Sequence, residues 1–320
     1  MLKEDTYLTP VDIGRWRNYN SFIRKEQIEL QRSNLLFTEL DCGYGDIAFI
    51  YSFELFELEE SLEELASLIK VVNTETVIED EIYYTTKIEG AKTTRIRTHE
   101  IHNGVNVLDI QDYSEQMVKN CFDAVKLLNL YPGKLTEKIL LTVWETLTYK
   151  ACDNTEIRGN SNYPYRSGDV VIGEYNPPSY PHVQNLMTKW LEFYNSDLLK
   201  EHPYIKAVLL HLAFERIHPF CDGNGRLGRL LINNYLINQG IEVAKAVSFS
   251  KAIDSNRIHY DAAFIDAENL YNDATPFIEF MLNMFYIAYN EALSVPANES
   301  SDTINDSNKL LLNAAKMAGN

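Results

Sequence analysis

The chain has 320 residues and a formal net charge of −17, with 45% hydrophobic and 23% charged residues. This composition is typical of a globular protein of one or two domains and excludes wholesale disorder. The acidic balance argues against a duplex nucleic-acid binder, which would present a basic face. Four scattered cysteines, without zinc-site spacing, predict free thiols in a reducing compartment. Without a signal-peptide core or a membrane-length apolar stretch, the sequence predicts a soluble, cytoplasmic protein.

The predicted elements are mostly helices. An amphipathic pattern marks a helix at 14–33, and an irregular piece with glycines follows around LDCGYGD. Helical periodicity then runs over 53–89, with a break near Asn73 and an end at Gly90. Further helices are predicted at 112–130, 134–150, 180–195, 203–217, 226–239 and 275–293.

One segment has β character. In RSGDVVIGEY, residues 166–175, a β-branched run lies between glycines and predicts a short strand or hairpin. Because no alternating βαβ pattern occurs, the sequence predicts an all-α fold with one small β element. We expect a mostly helical N-terminal region over 1–73 that packs on the core. A main domain would cover 74–293, and a partly mobile tail 294–320.

The twelve residues HPFCDGNGRLGR, from His218 to Arg229, lie between two predicted helices. Gly223 and Gly225 flank Asn224, a small polar residue. Two glycines in this arrangement let the backbone turn its N–H groups to one side and let a ligand approach closely. The following helix adds the partial positive charge of its N-terminus. Together these features predict an anion-binding cradle.

Four side chains that bear on chemistry surround this cradle. Arg226 and Arg229 are three residues apart, so they share a helix face and suit a polyphosphate. Asp222 is a carboxylate at the mouth of the cradle, where Mg²⁺ would take one carboxylate plus substrate phosphates. His218 is placed to accept a proton from an attacking hydroxyl. Phe220 is expected to anchor the loop in the core.

The same twelve residues resemble the signature of Fic domains, HPFx[D/E]GNGRxxR, with every specified position filled. Supporting similarity extends over about 74–290. The resemblance implies an all-α, Fic-type helical bundle with a short β-hairpin flap. Most Fic proteins transfer AMP from ATP to a hydroxyl of a target protein. The chain is accordingly expected to be a protein adenylyltransferase that uses ATP and Mg²⁺, releases pyrophosphate and modifies Ser, Thr or Tyr, its own residues included.

The resemblance also implies a role for each position. His218 would be the general base, and Asp222 would hold Mg²⁺ between the α- and β-phosphates. Arg229 would grip the γ-phosphate. In SNRIHYDAAF, Asn256 and Tyr260 resemble residues near the adenine pocket. The full set expected to hold the nucleotide is Asp222, Gly223, Asn224, Gly225, Arg226, Arg229, Asn256 and Tyr260.

The segment at 166–175 resembles the Fic flap, an element that holds the chain of a target protein by strand addition. The expected contacts with the target come from four consecutive residues, Asp169, Val170, Val171 and Ile172. The alternative is a structural hairpin with no role in target binding.

The stretch TTKIEG resembles the Fic inhibitory motif, [S/T]xxxE[G/N], through Thr85, Glu89 and Gly90. Its position before the signature in the same chain corresponds to class II, with an inhibitory helix at about 74–90. A carboxylate at the end of a helix is disfavoured by roughly 0.3–1 kcal/mol, which a cationic partner would offset. The resemblance nominates Arg229 as that partner, and its pairing with Glu89 would inhibit transfer by withdrawing Arg229 from the γ-phosphate.

Other functions stay open at this point. A Fic fold also suits transfer of UMP, a phosphoryl group or phosphocholine, and de-AMPylation if Glu89 positions a water. A catalytically silent nucleotide-binding module is a third class, against which the complete motif with His218 argues. His99 and His102 lack a third ligand and are assigned a structural or surface role. The family alone suggests a homodimer, and the sequence names neither the target nor the signal that relieves inhibition.

Overall fold

A computed structural model of the chain shows the fold. It describes residues 35–71, 74–105, 110, 112–152, 164–173, 175–269 and 272–294. Across these residues helices predominate, and one two-stranded sheet is present. The all-α prediction is confirmed. The helix expected at 14–33 and nearly all of the tail lie outside the described residues.

The sheet consists of β1 (Leu36–Asp41) and β2 (Asp46–Phe49). The helices in the described part of the chain are α1 (Phe53–Leu68), α2 (Thr74–Ile88), α3 (Arg95–His102), α4 (Tyr113–Asn129), α5 (Glu137–Thr148), α6 (Tyr180–Asn195), α7 (Pro203–Ile217), α8 (Asn224–Asn238), α9 (Phe249–Ser255), α10 (Arg257–Asn269) and α11 (Thr275–Ser294). A short 3₁₀ helix, Glu242–Lys245, follows α8. The helices predicted from 112 onward agree with α4–α8 and α11 to within one turn.

The helices α7 and α8 form the centre of the fold. Nearly every residue of α7 is buried, because its sequence is apolar on all sides. Pro203 begins α7 at a position where the missing N–H has no helical partner to lose. Most of α8 is buried as well. The loop between them, 218–223, therefore lies at one end of a well-packed helix pair.

Around LDCGYGD, where the sequence predicted an irregular piece with glycines, the structure has two strands joined by a turn. β1 and β2 form an antiparallel hairpin, with Leu36 opposite Phe49. Gly43 and Gly45 have φ of 100° and 101°, so the turn between the strands needs glycine. The turn glycines beside β-rich stretches were the sequence signal for this hairpin. The sequence predicted a short strand or hairpin at 166–175, and there the structure has a single antiparallel bridge between Ile172 and Tyr175.

The hairpin and α1 pack against the last described helix. The Ala48 N–H donates to the Asn272 carbonyl at 3.0 Å, and the Ala274 N–H donates to the Ala48 carbonyl at 2.7 Å. The Ile50 N–H donates to Thr275 Oγ1 at 2.8 Å. α1 lies along α11. These contacts join residues 35–71 to the helical core.

The position of α2 is set by a buried carboxylate. Glu81 accepts hydrogen bonds from the Ser250 N–H at 2.8 Å and from Ser248 Oγ at 3.1 Å. It thereby places a carboxyl group at the N-terminus of α9, where the helix dipole favours negative charge. The C-terminal end of α2 is thus held near the start of α8. Among the described helices, none has the length and apolar character that a membrane span requires.

Candidate active site

His218 closes α7 in a left-handed conformation, with φ of 48° and ψ of 63°. Residues other than glycine adopt this region rarely, so the surrounding structure must hold it. The His218 N–H donates to the Phe214 carbonyl at 2.9 Å. Its carbonyl accepts from Arg166 Nε at 2.9 Å. These two bonds fix the direction in which the imidazole leaves the end of the helix.

The His218 imidazole is partly buried, with 20% of its side chain exposed. Burial lowers its pKa to about 4, and the nearby guanidinium of Arg166 acts in the same direction. The ring is therefore neutral at pH 7 and has a lone pair that can accept a proton. A general base at neutral pH needs this protonation state.

The loop after His218 is anchored through Phe220. Its ring is fully buried and stacks on Trp144, with centroids 4.4 Å apart, so the predicted anchoring role is confirmed. The Trp144 indole N–H donates to the Asp222 carbonyl at 2.9 Å. Asn224 Nδ2 donates to the Phe220 carbonyl at 2.8 Å, and Asn224 Oδ1 accepts from the Phe220 N–H at 3.0 Å. The Asn224 side chain was expected to face phosphates, but it fixes the loop backbone instead.

The helix α8 begins at Asn224, two residues earlier than predicted. Gly223 is its N-cap and has φ of 85°. A Cβ at Gly223 would lie 3.0 Å from Thr148 Cγ2 and 3.2 Å from Leu147 Cδ2, so both conformation and space require glycine. A glycine cap supplies no side-chain acceptor for the first N–H groups of the helix. N–H groups of this kind at the start of a helix are the donors that anion-binding sites use.

Asp222 is held at the mouth of the cradle. Its Oδ1 accepts from Arg226 Nη2 at 2.8 Å, and its Oδ2 accepts from the Tyr113 hydroxyl at 3.2 Å. The carboxylate remains 29% exposed. Within the described ranges, no group of three His, Cys, Asp or Glu side chains would hold a metal by itself. Mg²⁺ sites in which substrate phosphates supply most ligands need only one or two carboxylates.

The guanidinium of Arg226 is buried and only partly paired. The residue is 1% exposed, and it forms an ion pair with Asp222. Its Nε and Nη1 atoms have no hydrogen-bond partner among the described residues. Buried N–H groups without an acceptor are costly, so this end of the cradle fits an anionic ligand.

The guanidinium of Arg229 is also 1% exposed, but it is well paired. Its Nε donates to Thr85 Oγ1 at 2.8 Å, and its Nη2 donates to the Thr85 carbonyl at 3.2 Å. The same Nη2 forms an ion pair with Glu89 Oε1 at 2.6 Å. Thr85 and Glu89, the two polar residues that the inhibitory motif specifies, thus both contact this one arginine.

The end of α2 explains why these groups point at Arg229. Gly90 has φ of 86°, and its N–H donates to the Lys87 carbonyl at 2.9 Å. The Ala91 N–H reaches back to the Thr86 carbonyl at 3.0 Å, which completes a Schellman motif. Because the Glu89 N–H also bonds to Thr86, the Thr85 carbonyl is available to the arginine.

The Glu89 carboxylate occupies the space at the start of α8. A Cβ on Gly225 would collide with Glu89 Oε1, so glycine makes room for this approach. Burial opposes ionisation of Glu89, but the ion pair with Arg229 outweighs it, helped by Arg226 and Arg257, and its pKa lies below the ordinary value. Glu89 is therefore an anion at neutral pH, placed where the positive end of α8 favours one.

The segment expected to form the flap contains a tight turn in place of a sheet. Ile172 and Tyr175 form a single antiparallel bridge, with both N–H···O distances at 2.9 Å. Gly173 has φ of 58°, and Glu174 lies outside the described residues. Val171 is 67% exposed and Ile172 is 38% exposed. This apolar edge is accessible at the surface.

Asp169 and Val170, the other two residues expected to contact a target, do not form part of this exposed apolar edge in the same way as Val171 and Ile172. Asp169 accepts from the Tyr180 N–H at 2.8 Å and from Ser179 Oγ at 3.1 Å. Its bond to the Tyr180 N–H lowers the pKa of Asp169. Asp169 therefore caps the start of α6 and holds the turn in place. Val170 is partly exposed beside it.

The two residues expected near an adenine lie at the α9–α10 junction. Asn256 ends α9, is partly exposed, and donates through Nδ2 to the Ala252 carbonyl at 3.0 Å. Tyr260 is only 4% exposed, and its hydroxyl bonds to His211 Nε2 at 2.7 Å. Tyr260 therefore supports the site from within the core and presents no open surface to a nucleotide.

Sequence reasoning missed Arg166, which joins the turn segment to the base. Its side chain is buried, and besides the His218 carbonyl it donates to the carbonyls of Gly168, at 2.9 Å, and of Pro178. A buried arginine bonded to main-chain carbonyls leaves no motif. The only available signal was its position at the start of the predicted hairpin.

The two histidines judged structural lie on α3, away from the cradle. His99 Nδ1 and His102 Nδ1 both contact the Glu79 carboxylate, at 3.0 Å and 2.7 Å. His102 also stacks on Phe122 with centroids 4.5 Å apart. The carboxylate that the sequence pattern lacked is thus supplied by α2, and the three residues join α2 to α3.

Comparison with known proteins identifies the domain. Residues 135–236 match the family model described as the Fic/DOC family. This range contains the whole loop between α7 and α8, with His218, Asp222 and both arginines. The chain contains a Fic domain. Along the chain, α1–α4 precede the Fic domain and α9–α11 follow it.

Curated relatives match about half of the chain. A protein adenylyltransferase Fic from Drosophila melanogaster is 30% identical over 165 residues, and one from Drosophila erecta is 29% identical over 163 residues. Each match covers 50% of this chain and 32% of the relative. The similarity thus spans about a third of the length of these relatives.

Solved structures share the fold over a longer range. A Fic family protein from Desulfovibrio desulfuricans is 25% identical, with a TM-score of 0.68, and the match covers 79% of this chain and 78% of that one. A Fic domain protein from Bacteroides thetaiotaomicron is 21% identical with a TM-score of 0.55, covering 75% and 97% of the two chains. The second comparison supports the fold alone.

Proposed function

We propose that the protein is an adenylyltransferase that moves AMP from ATP to a Ser, Thr or Tyr hydroxyl of a protein, with Glu89 as an internal inhibitor. The observation that carries the proposal is the position of His218 in the loop that leads into α8, whose first two turns carry two buried arginines. The adenylyltransferase names of the Drosophila relatives point to the same chemistry. The expected acceptor is a hydroxyl of a target protein, and the hydroxyls of the chain itself are included.

The cradle would bind the triphosphate of ATP. The first N–H groups of α8, from Gly223 to Gly225, would hold the α- and β-phosphates, and Arg226 would direct its unpartnered Nε and Nη1 to the β-phosphate. Arg229 would hold the γ-phosphate. Asn256, at the end of α9, is the candidate contact for the adenine.

Asp222 would hold Mg²⁺ together with the phosphates. It supplies one carboxylate at the mouth of the cradle, which fits an ion that takes one or two carboxylates plus phosphate oxygens. When bound, the ion would neutralise charge on the α- and β-phosphates. The hydrogen bond from Tyr113 orients the carboxylate for this role.

His218 would act as the base. Its neutral imidazole takes the proton of the target hydroxyl as the oxygen attacks the α-phosphorus in line. The bond between that phosphorus and the bridging oxygen breaks, and pyrophosphate leaves with the electron pair. The exposed edge formed by Val170, Val171 and Ile172 would hold the target chain beside the base. Most of the catalysis would come from positioning and charge neutralisation.

Glu89 would inhibit by competing with ATP for Arg229. Its carboxylate already occupies the arginine and the space over Gly225. ATP that binds beside it would lack the grip on the γ-phosphate, and its α-phosphate would lie out of line for attack. Thr85 adds to this by holding two further N–H groups of the same guanidinium.

Intact-mass spectrometry with ATP and Mg²⁺ tests the proposal. Wild type and Glu89→Gly would be incubated with ATP labelled at either the α- or the γ-phosphate. We expect Glu89→Gly to gain adenylyl groups at least about tenfold faster than wild type. The reason is that the charged hydrogen bond between Glu89 and Arg229 is lost, so the arginine is available to ATP. Glu75→Gly, which removes an exposed carboxylate from the first turn of α2, is the matched control and should behave as wild type.

Each contrary outcome points to a named alternative. Transfer of the γ-label alone would indicate a phosphoryl transferase, and label gained only from UTP would indicate UMP transfer. Removal of AMP from a modified protein, with no addition, would indicate a de-AMPylase. No added mass in any variant would indicate a silent nucleotide-binding module. Equal labelling of wild type and Glu89→Gly would remove the inhibitory role of Glu89.

A further inference from the structure

Behind the base, α7 carries a buried polar cluster that the proposed reaction does not use. Glu215 lies one turn before His218, and His211 lies one turn earlier on the same face. Glu215 Oε2 is 4.0 Å from His218 Nδ1, and Glu215 Oε1 is 4.0 Å from His211 Nδ1. The His211 side chain is fully buried, and that of Glu215 is 15% exposed. Glu215 therefore stands between the two imidazoles.

A glycine on α8 makes room for this cluster. A Cβ on Gly228 would lie 2.7 Å from Glu215 Oε1 and 2.8 Å from His211 Nδ1. Glycine within a helix is destabilising, so it requires a reason of this kind. Gly228 stands at an unspecified position of the twelve-residue signature, yet the space that it leaves is filled by two polar side chains of α7.

The cluster continues to the arginine of the inhibitory contact. His211 Nε2 lies 2.7 Å from the Tyr260 hydroxyl, and the positive charge of Arg229 acts on the same hydroxyl. A row of buried polar groups thus connects His218, through Glu215, His211 and Tyr260, to Arg229.

We propose that Glu215 is a positioning residue that holds the His218 imidazole with its proton on Nδ1 and its lone pair on Nε2. The Glu215 main-chain carbonyl, 3.4 Å from Nδ1, supports the same tautomer. The side-chain contact is long, as catalytic hydrogen bonds often are before substrate binds. The catalytic value of this tautomer rests on the proposed function, because only then is Nε2 the atom that takes the proton.

The protonation states complete the argument. Burial raises the pKa of Glu215 to about 8 and lowers that of His211 to about 3. The other charged groups that act on Glu215 are Arg229, Glu89 and Arg257. Near pH 7 the carboxyl group is therefore protonated. Glu215 Oε1 and His211 Nδ1 have no hydrogen-bond partner among the described residues. When the two 4.0 Å gaps close, the protonated carboxyl would accept from His218 Nδ1 through Oε2 and donate to His211 Nδ1 through Oε1.

This arrangement gives a sharp prediction, because glutamine reproduces both contacts of a protonated glutamate. In the Glu89→Gly background, Glu215→Gln should keep kcat within about threefold of its parent at pH 7. Glu215→Ala should lower kcat by about tenfold or more with little change in KM for ATP. Equal loss in both variants, or a loss confined to KM, would overturn the proposal.

A spectroscopic measurement keeps the test independent of catalysis. Nitrogen-15 NMR of the His218 ring, without nucleotide, reports which nitrogen carries the proton. We expect the Nδ1–H tautomer in wild type and Glu215→Gln, and a mixed population in Glu215→Ala. If Glu215→Ala does not fold, Gly228→Ala, which crowds Glu215 without removing it, should shift the tautomer in the same way.

The two proposals fail in different ways. If no variant transfers an adenylyl group, the proposed function fails while the tautomer still reports on Glu215. If wild type carries the proton on Nε2, or if the tautomer is unchanged in Glu215→Ala, the positioning role is wrong whatever the activity.

Discussion

The two arginines of α8 share burial and helix face but differ in their partners. Arg226 has one ion pair and two guanidinium nitrogens without acceptors among the described residues, whereas Arg229 is held by Thr85 and Glu89. One end of the cradle therefore fits an outside anion, and the other end already holds an anion of the chain itself. The difference suggests that ligand binding and inhibition are divided between two arginines one turn apart.

The largest effect is expected when the proposed base, His218, is removed. His218→Ala should lower the transfer rate by about 10²–10⁴-fold, the range typical of a lost general base. The measurement is incorporation of α-labelled ATP in the Glu89→Gly background. ATP affinity and the melting temperature should stay near those of the parent. Retained activity would exclude His218 as the base.

The second prediction separates the two arginines. Arg226→Ala should weaken binding of both ADP and ATP by about tenfold or more, because a charged hydrogen bond to the β-phosphate is lost. Arg229→Ala should leave ADP affinity unchanged, since its expected partner is the γ-phosphate. Isothermal titration calorimetry with Mg²⁺ and each nucleotide measures both. A weaker affinity for ADP in the Arg229 variant would contradict the division.

A smaller effect concerns the hydroxyl that supports the inhibitory contact. Thr85→Val keeps the side-chain shape but removes the acceptor of Arg229 Nε, so transfer should rise by about two- to fivefold, in line with a hydrogen bond of about 1 kcal/mol. Thr86→Val is the matched control, because that buried hydroxyl bonds only within α2. Equal rates in the two variants would assign no inhibitory role to Thr85.

The smallest change is expected on acidification. Because burial holds the pKa of His218 near 4, below the ordinary value of about 6.5, the base stays neutral as the pH falls through 6. The kcat/KM of Glu89→Gly should therefore change little between about pH 7 and 5.5, and fall towards pH 4. Rate measurements in buffers of constant ionic strength check this. Half-loss near pH 6.5 would show an ordinary, solvated histidine.

The sequence predicted which residues between His218 and Arg229 lie close together, but it did not predict where their side chains point. The glycines, His218 and the two arginines lie within twelve residues, so their proximity follows from chain connectivity. Asn224 turned inward to the Phe220 backbone because the loop had to satisfy its own N–H and carbonyl groups. That choice depends on packing, which the motif does not contain.

Contacts between segments that are distant in the sequence could not be predicted either. Arg166 reaches His218 only once the 164–173 segment is packed against the end of α7, and a buried charge has no pattern in one sequence. The β1–β2 hairpin was missed although its glycine turn was visible, because helical patterns on both sides dominated the interpretation. The Glu89 contact was expected only through the resemblance, since a six-residue motif would recur by chance.

The most direct test of the shared arginine is a four-protein cycle. Incorporation of α-labelled ATP would be measured for wild type, Glu89→Gly, Arg229→Ala and the double variant. If Glu89 inhibits by holding Arg229, the gain from Glu89→Gly should disappear when Arg229 is absent. An equal gain in the Arg229→Ala background would contradict that account and show that Glu89 acts without the arginine.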